Sequence, residues 1–113
     1  MNTLKNNVQL IGRLGKNPEV KTFDSGKTLA TFSVATNESY RNAKGEKVEE
    51  TQWHNIVAWG KLAEVASKYL KKGSEVALQG KLIHRDYESN GVKKYITEIN
   101  VHELMMLGSK EKE

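Results

Sequence analysis

Apolar and polar residues alternate with period two through segment after segment of this chain. That period sends successive side chains to opposite faces of an extended strand, so the pattern describes half-buried sheet. In Asn7–Leu14, Val8, Leu10, Gly12 and Leu14 share one face, and Gln9, Ile11 and Arg13 the other. Thr28–Asn37 points Ala30, Phe32 and Val34 inward, with Thr31 and Ser33 outward. Thr51–Trp59 lines up Trp53, Asn55, Val57 and Trp59 opposite Ile56 and Ala58. Ser74–Tyr87 sets Val76, Leu78, Gly80 and Leu82 against Gln79, Lys81, Ile83, Arg85 and Tyr87. Ser89-Asn90-Gly91 then turns the chain into a last strand, Lys93–Val101. Glu19–Phe23 reads as a short strand before the turn Asp24-Ser25-Gly26-Lys27. Glu38–Glu50 is polar around Lys44-Gly45-Glu46 and reads as a loop or flexible hairpin. Gly12 within a strand marks a bulge or tight bend, which a small barrel needs.

One stretch changes period. Over Lys61–Lys72 the apolar residues Leu62, Val65, Ala66, Tyr69 and Leu70 follow a helical stripe. Lys71 and Lys72 suit the negative end of its dipole, and Gly73 its C-terminal cap. Phe32 and Tyr69 are expected in the core. A length of 113 residues with 37% hydrophobic content suits one domain, with no internal repeat. The expected fold class is all-β: a five-stranded Greek-key barrel of the OB type, with one α-helix between the third and fourth strands. Other α+β domains share that element order.

Several function classes drop out. The chain has no cysteine, which excludes disulfides, a thiol nucleophile and cysteine-based zinc sites. No phosphate loop, dinucleotide fingerprint, His-Glu-x-x-His or Gly-x-Ser-x-Gly occurs. His54, His84 and His102 are far apart in sequence and read as structural or interface groups. Adjacent Glu49 and Glu50 point apart on a strand and make no catalytic pair. The expectation is a non-enzyme without catalytic residue, metal or cofactor. The N-terminus lacks the apolar run of a signal peptide, and no segment approaches the roughly 18 apolar residues of a membrane span. A cytoplasmic, nucleoid-associated protein without a membrane partner is expected.

The aromatic and basic residues point to a partner. The formal charge is +4, spread along the chain, so a positive groove has to be assembled by folding. Trp53 and Trp59 could be core, but Ile56 and Ala58 on the opposite face of their strand can already serve it. Tyr40 and Tyr87 sit among charged residues. Rings interleave with cations in Tyr40-Arg41, in Trp59 with Lys61, and in Arg85 with Tyr87. Stacking accepts any base, and cations neutralise the backbone, which together suit single-stranded nucleic acid bound without sequence preference. Tyr40, Trp53, Trp59 and Tyr87 are therefore the expected stacking residues. Arg13, Arg41, Lys61, Lys72 and Arg85 are the expected phosphate contacts. The polar helix face offers Glu64, Ser67, Lys68 and Lys71, a poor set for reading a duplex groove.

The stretches VQLIGRLGKNPEV, TFSVATNESYRN and TQWHNIVAWGKLAEVASKYLKKGSEV, with the closing hairpin that ends in MMLG, give the chain a family likeness. It resembles the bacterial single-stranded DNA-binding proteins over nearly all of residues 3–108. The resemblance implies an OB-fold spanning residues 1–107, a homotetramer, and non-specific wrapping of single-stranded DNA in replication, recombination and repair. It assigns base stacking to Tyr40, Trp53, Trp59 and Tyr87. It assigns subunit contacts to His54 and to Glu75, Ala77, Gln79 and Lys81 on the fourth strand's outer face, with Lys5 nearby. Family members usually continue into a flexible linker and an acidic tip that recruits replication proteins. This chain ends on LGSKEKE, so residues 108–113 are expected to be a short charged end, and tail-mediated partners are not expected. The alternative is an OB-fold primosomal accessory protein acting mainly as a protein–protein adaptor.

Overall fold

The structure, a computed structural model, describes residues 4–107. The charged end expected at 108–113 lies outside the described residues. The alternating segments form β1 (Val8–Leu14), β2 (Glu19–Thr22), β3 (Thr28–Arg41), β4 (Lys47–Trp59), β5 (Glu75–Ser89) and β6 (Val92–Met106). One helix, α1 (Lys61–Tyr69), lies between β4 and β5.

The strands pair in the order β1-β5-β6-β4-β3-β2, and β1 also pairs with β3. That extra pairing closes a ring of five strands, β1, β3, β4, β6 and β5, from which β2 extends as a short appendix on β3. The helix falls between the third and fourth ring members in chain order, as the OB arrangement requires. All ring contacts are antiparallel except β4 with β6, where Asn55, Ile56 and Val57 face Glu98, Ile99 and Asn100.

Closure rests on β1 serving two neighbours. Val8–Arg13 pairs with β5, while Arg13 and Leu14 pair with Ala35 and Val34 of β3. Gly12 sits at that handover, where a Cβ would lie 2.2 Å from the Ala35 carbonyl oxygen. A side chain there would push β3 away, so the ring closes because this residue has none.

Inside the ring the alternation holds. Leu14, Ala30, Phe32, Val34, Ile56, Ala58, Val76, Leu78, Ile99 and Val101 are buried. Full burial of each Val, Leu, Ile or Phe side chain contributes about 1.5–3 kcal/mol. No polar side chain is buried among the described residues, so functional groups have to lie on the outside.

The helix seals one end of the ring, with a face shifted from the expected stripe. Leu62, Ala63, Ala66 and Leu70 turn towards the core. Val65 and Tyr69 are exposed, Tyr69 by 57%, so Tyr69 is a surface residue and not the core residue expected. Ala63 and Ala66 are fully buried, and their small side chains let the helix lie close against the barrel. The helix also stops earlier than expected. Leu70 is already extended, leaving Lys71, Lys72 and Gly73 in a turn where Gly73 N–H donates to the Leu14 carbonyl.

Two hairpins project from the ring. Glu38–Glu50 is mostly paired strand, with only Asn42–Glu46 as loop; there Asn42 Oδ1 accepts from the Lys44 and Glu46 amides. Its pairs are polar except for Tyr40 with Val48, too little to show in a hydrophobicity pattern. The β5–β6 hairpin turns at Asn90 and Gly91, both with positive φ, as a type I′ turn demands. The radius of gyration is 16.3 Å against about 13 Å for a compact domain of this length, because these arms stand out from the core.

Gly12→Ala is expected to destabilise the fold by about 1–3 kcal/mol through overpacking at the closure point, read as a lowered Tm in thermal denaturation. An unchanged Tm would show that β1 closure does not depend on the missing side chain.

Candidate nucleic-acid interface

The outer face of β4 carries Trp53, Asn55, Val57 and Trp59, paired across to Ala35, Ser33, Thr31 and Leu29 of β3. Both indoles are open, Trp53 by 60% and Trp59 by 41%. The inward positions of β4 belong to Ile56 and Ala58, so the alternation leaves the tryptophans outside.

Each indole is braced differently. Trp53 lies against the backbone of Gly15 just past β1: a Cβ there would come within 2.6 Å of indole Cζ3 and 2.8 Å of Cη2. Trp59 stacks on Phe23, with ring centroids 6.0 Å apart and planes inclined by 25°. Lys21 Nζ stands 5.8 Å from the centre of the Phe23 ring. The turn after β2 sets this contact. Phe23 N–H donates to the Lys27 carbonyl, and Gly60 N–H to the Thr28 carbonyl, which brings the end of β2 beside the end of β4.

Two hollows flank the short β4–β6 seam. One, of about 280 Å³, is lined by Leu29, Thr31, Val57, Trp59, Ile83, Arg85, Glu98 and Asn100. The other, of about 320 Å³, includes Trp53, His54, Asn55, Tyr95 and Ile96. A third, of about 530 Å³, continues past Trp59 to Lys27, Lys61 and Glu64 at the helix start. Trp53 and Trp59 thus open onto one outer surface, with Asn55 and Val57 between them on the strand.

The tyrosines stand apart from this centre. The β3–β4 register runs without a shift from Leu29↔Trp59 to Arg41↔Lys47. Tyr40 lies five residues from Ala35, the partner of Trp53, so it occupies the opposite face of the hairpin. It is 49% exposed near the tip. Tyr87 is exposed on the β5–β6 arm, on the same strand face as Ile83 and Arg85. The structure gathers Trp53 and Trp59 around the seam and puts Tyr40 and Tyr87 on two separate arms.

The cations are unequally available. Lys61 and Lys72 are exposed and make no ion pair among the described residues; the Lys72 amide donates to Asn17 Oδ1. Arg41 donates to the Gly45 carbonyl at 2.8 Å within its own loop. Arg13 donates to the Gly73 carbonyl at 3.1 Å and lies 3.7 Å from Glu75, a loose surface pair of little worth. Arg85 is held far more firmly. Its Nε and Nη2 donate to the two carboxylate oxygens of Glu98 at 2.9 and 3.0 Å. The hydrogen bond to Glu98, and then its charge, raise the guanidinium above its ordinary pKa.

On the side formed by β1, β5 and the end of β6, Ile11, Ala77 and Met105 make one cross-strand row. Ile11 and Met105 are about three-fifths exposed. The next row is Gln9, Gln79 and Glu103, and Gln79 Nε2 donates to Asn7 Oδ1. A shallow hollow of about 470 Å³ lies over these rows. Glu75, Ala77, Gln79 and Lys81 alternate along the outer face of β5, and Lys5 is exposed beyond the start of β1. His54 is half-buried, its Nε2 3.0 Å from Thr36 Oγ1, so its ring is held within the chain.

Two aromatic residues enter the site that sequence pattern did not mark. Phe23 looked like the end of a minor strand, and the Asp24–Lys27 turn is the one local signal of its return towards Trp59. Tyr95 carries no local signal, and its place beside Trp53 follows from the β4–β6 seam.

Among the described residues no helix is long and apolar enough to cross a membrane, and no three His, Cys, Asp or Glu side chains converge as a metal site. The profile of the single-strand binding protein family matches residues 5–107. The chain is 46% identical over 108 residues to single-stranded DNA-binding protein 1 of Chlorobaculum tepidum, covering 94% of this chain and 67% of that protein. It is 44% identical over 106 residues to the single-stranded DNA-binding protein of Neisseria meningitidis serogroup A, covering 93% and 61%. The chain therefore spans about two thirds of the length of these relatives. Among solved structures, a Plasmodium falciparum SSB complex with ssDNA superposes with a TM-score of 0.84 at 38% identity, covering 91% of this chain and 95% of that one. A deletion mutant of the single-stranded DNA binding protein from Thermus aquaticus gives 0.81 at 25% identity, covering 93% and 51%.

With Trp59 replaced by Phe, so that Trp53 is the sole indole, Gly15→Ala is expected to displace the ring and shift its emission maximum. Identical spectra with and without the methyl group would remove Gly15 as the brace.

Proposed function

The chain belongs to the single-strand binding protein family, and from that premise we propose that it binds single-stranded DNA without sequence preference, stacking bases on exposed rings. The observation that carries this reading is the pair of open indoles on the outer face of a closed barrel with an apolar interior. A large ring left in water on a well-packed strand is available to a flat partner. The solved complex of a relative with ssDNA supports the same ligand.

Trp53 and Trp59 form the centre of the track, with Tyr40 and Tyr87 meeting the strand where it runs onto the two arms. Lys61, Lys72, Arg13 and Arg41 take phosphates at its edges. Phe23 stiffens the Trp59 platform. Strand protection during replication, recombination and repair at the nucleoid, in the cytoplasm, is the role this binding serves.

The assembly is a homotetramer. The row Ile11–Ala77–Met105, exposed at both ends, supports a self-contact over β1 and β5, with Glu75, Gln79, Lys81 and Lys5 around it; His54, on β4, is the further subunit contact proposed. Two copies of such a row bury apolar side chains that one copy leaves in water.

Stacking contributes about 1–3 kcal/mol per base, a range partly established on single-strand binding proteins themselves. Replacing both Trp53 and Trp59 by Ala should therefore remove about 2–6 kcal/mol, weakening oligo-dT binding about thirtyfold or more in a titration with the fold intact. Unchanged affinity in a folded double variant would end the site assignment. Light scattering of the parent chain should read the mass of four chains. A stable dimer would discard the tetramer.

A further inference from the structure

The hollow beside Trp59 contains two charged side chains, and they cancel. Its lining is Leu29, Thr31, Val57, Trp59, Ile83, Asn100, Arg85 and Glu98. Arg85 and Glu98 meet through two parallel N–H···O bonds of 2.9 and 3.0 Å, the geometry in which a guanidinium and a carboxylate fit best. The partners differ in exposure. The Glu98 side chain is 12% exposed and that of Arg85 53%.

This asymmetry decides which partner can leave. An incoming phosphate could reach the open edge of Arg85. To take the guanidinium over, it would have to strip both charge-assisted bonds from a carboxylate with little access to water. Leaving a charge so enclosed and unpaired is strongly unfavourable. A fully exposed glutamate would give way; this one holds. Arg13 presents the contrast, since its 3.7 Å contact with Glu75 is loose and can exchange for phosphate.

Resting on the single-strand reading above, we propose that Glu98 is a positioning residue that withholds Arg85 from phosphate and keeps the middle of the trough a neutral bed for bases. Phosphates are left to the lysines at the margins, such as Lys61 and Lys27 beyond Trp59. Glu98 thereby caps both the affinity and the salt sensitivity of this segment.

The salt dependence of binding separates this from a purely structural role, because each phosphate neutralised on a single strand adds about 0.7 to the slope of log K against log salt. The probe is an oligo-dT of about 8 nucleotides, within the span of one OB-fold. Glu98→Gln keeps the size and an acceptor but drops the charge. It is expected to bind severalfold more tightly at low salt, with a slope steeper by about 0.7. Arg85→Gln is expected to weaken binding while leaving the parent slope unchanged. The double variant Arg85→Gln with Glu98→Gln should return to the parent slope. A slope unchanged in Glu98→Gln would mean that Glu98 withholds no phosphate contact, and one that falls by about 0.7 in Arg85→Gln would mean that Arg85 already grips phosphate; either would overturn the proposal. Should Glu98→Gln fail to fold, the slope of Arg85→Gln decides alone. A parent chain that does not bind oligo-dT takes down the single-strand reading, and this inference with it.

Discussion

The pairing of β1 with both β5 and β3 is the constraint on which the outer surface depends. Before closure, each strand is a ribbon with two usable faces, and nothing distinguishes Ile56 from Val57. Closing the ring at Gly12 makes one face an interior. Within the ring, residues of one parity such as Val34, Ile56 and Val76 then pack in the interior, and those of the other parity, Trp53 and Trp59 among them, face outward. Trp53 and Trp59 are exposed because they are two and four positions from Asn55, on the parity that closure turned outward. The rigidity of the platform is borrowed from the barrel, which is why large rings can stay in solvent without collapsing inward.

Much of this was legible in the chain. Period-two alternation gave the ring strands, their inward residues and the outward parity of the tryptophans, because that information is local to each strand. What failed was information held between elements. Tyr69 fits a helical stripe as well as Ala63 does, but which of them meets the barrel is set by how the helix docks on it, and the small residue is the one buried. The polar hairpin around Lys44-Gly45-Glu46 has no hydrophobic signature, since its strands pair in solvent and cover no core. Phe23 and Tyr95 join the site through the Asp24–Lys27 turn and the β4–β6 seam, contacts invisible to any periodicity. The basic residues show the same limit. A sequence displays Arg13, Lys61 and Arg85 as equal cations, whereas the fold gives one a loose partner, one no ion pair among the described residues, and one a near-buried carboxylate.

The arms set a further division of labour. The core holds the central rings rigidly, whereas Tyr40 and Tyr87 ride on hairpins that extend past the last buried residue. Hairpins with few buried contacts open and flex at lower free energy than the barrel. A strand bound at the tryptophans meets fixed rings, while one continuing outward meets rings that can adjust to its path. Opposite faces of the β3–β4 hairpin then carry Trp53 and Tyr40, so engaging both requires the strand to pass around the hairpin.

That geometry bears on how charge is distributed. A strand drawn mainly by cations would have its phosphates pulled towards the protein and its bases turned to solvent, the reverse of what exposed indoles need. On the proposed reading, a neutral centre flanked by lysines resolves the conflict: phosphates are attracted at the margins, and the span between them is free to present bases to the rings. A near-buried glutamate beside a stacking platform looks unfavourable for a polyanion when considered alone. Paired with Arg85, it would remove a competing phosphate anchor from the place where the proposed track lays a base flat, and in that proposal the Arg85–Glu98 pair and the Trp59–Phe23 stack serve the same end.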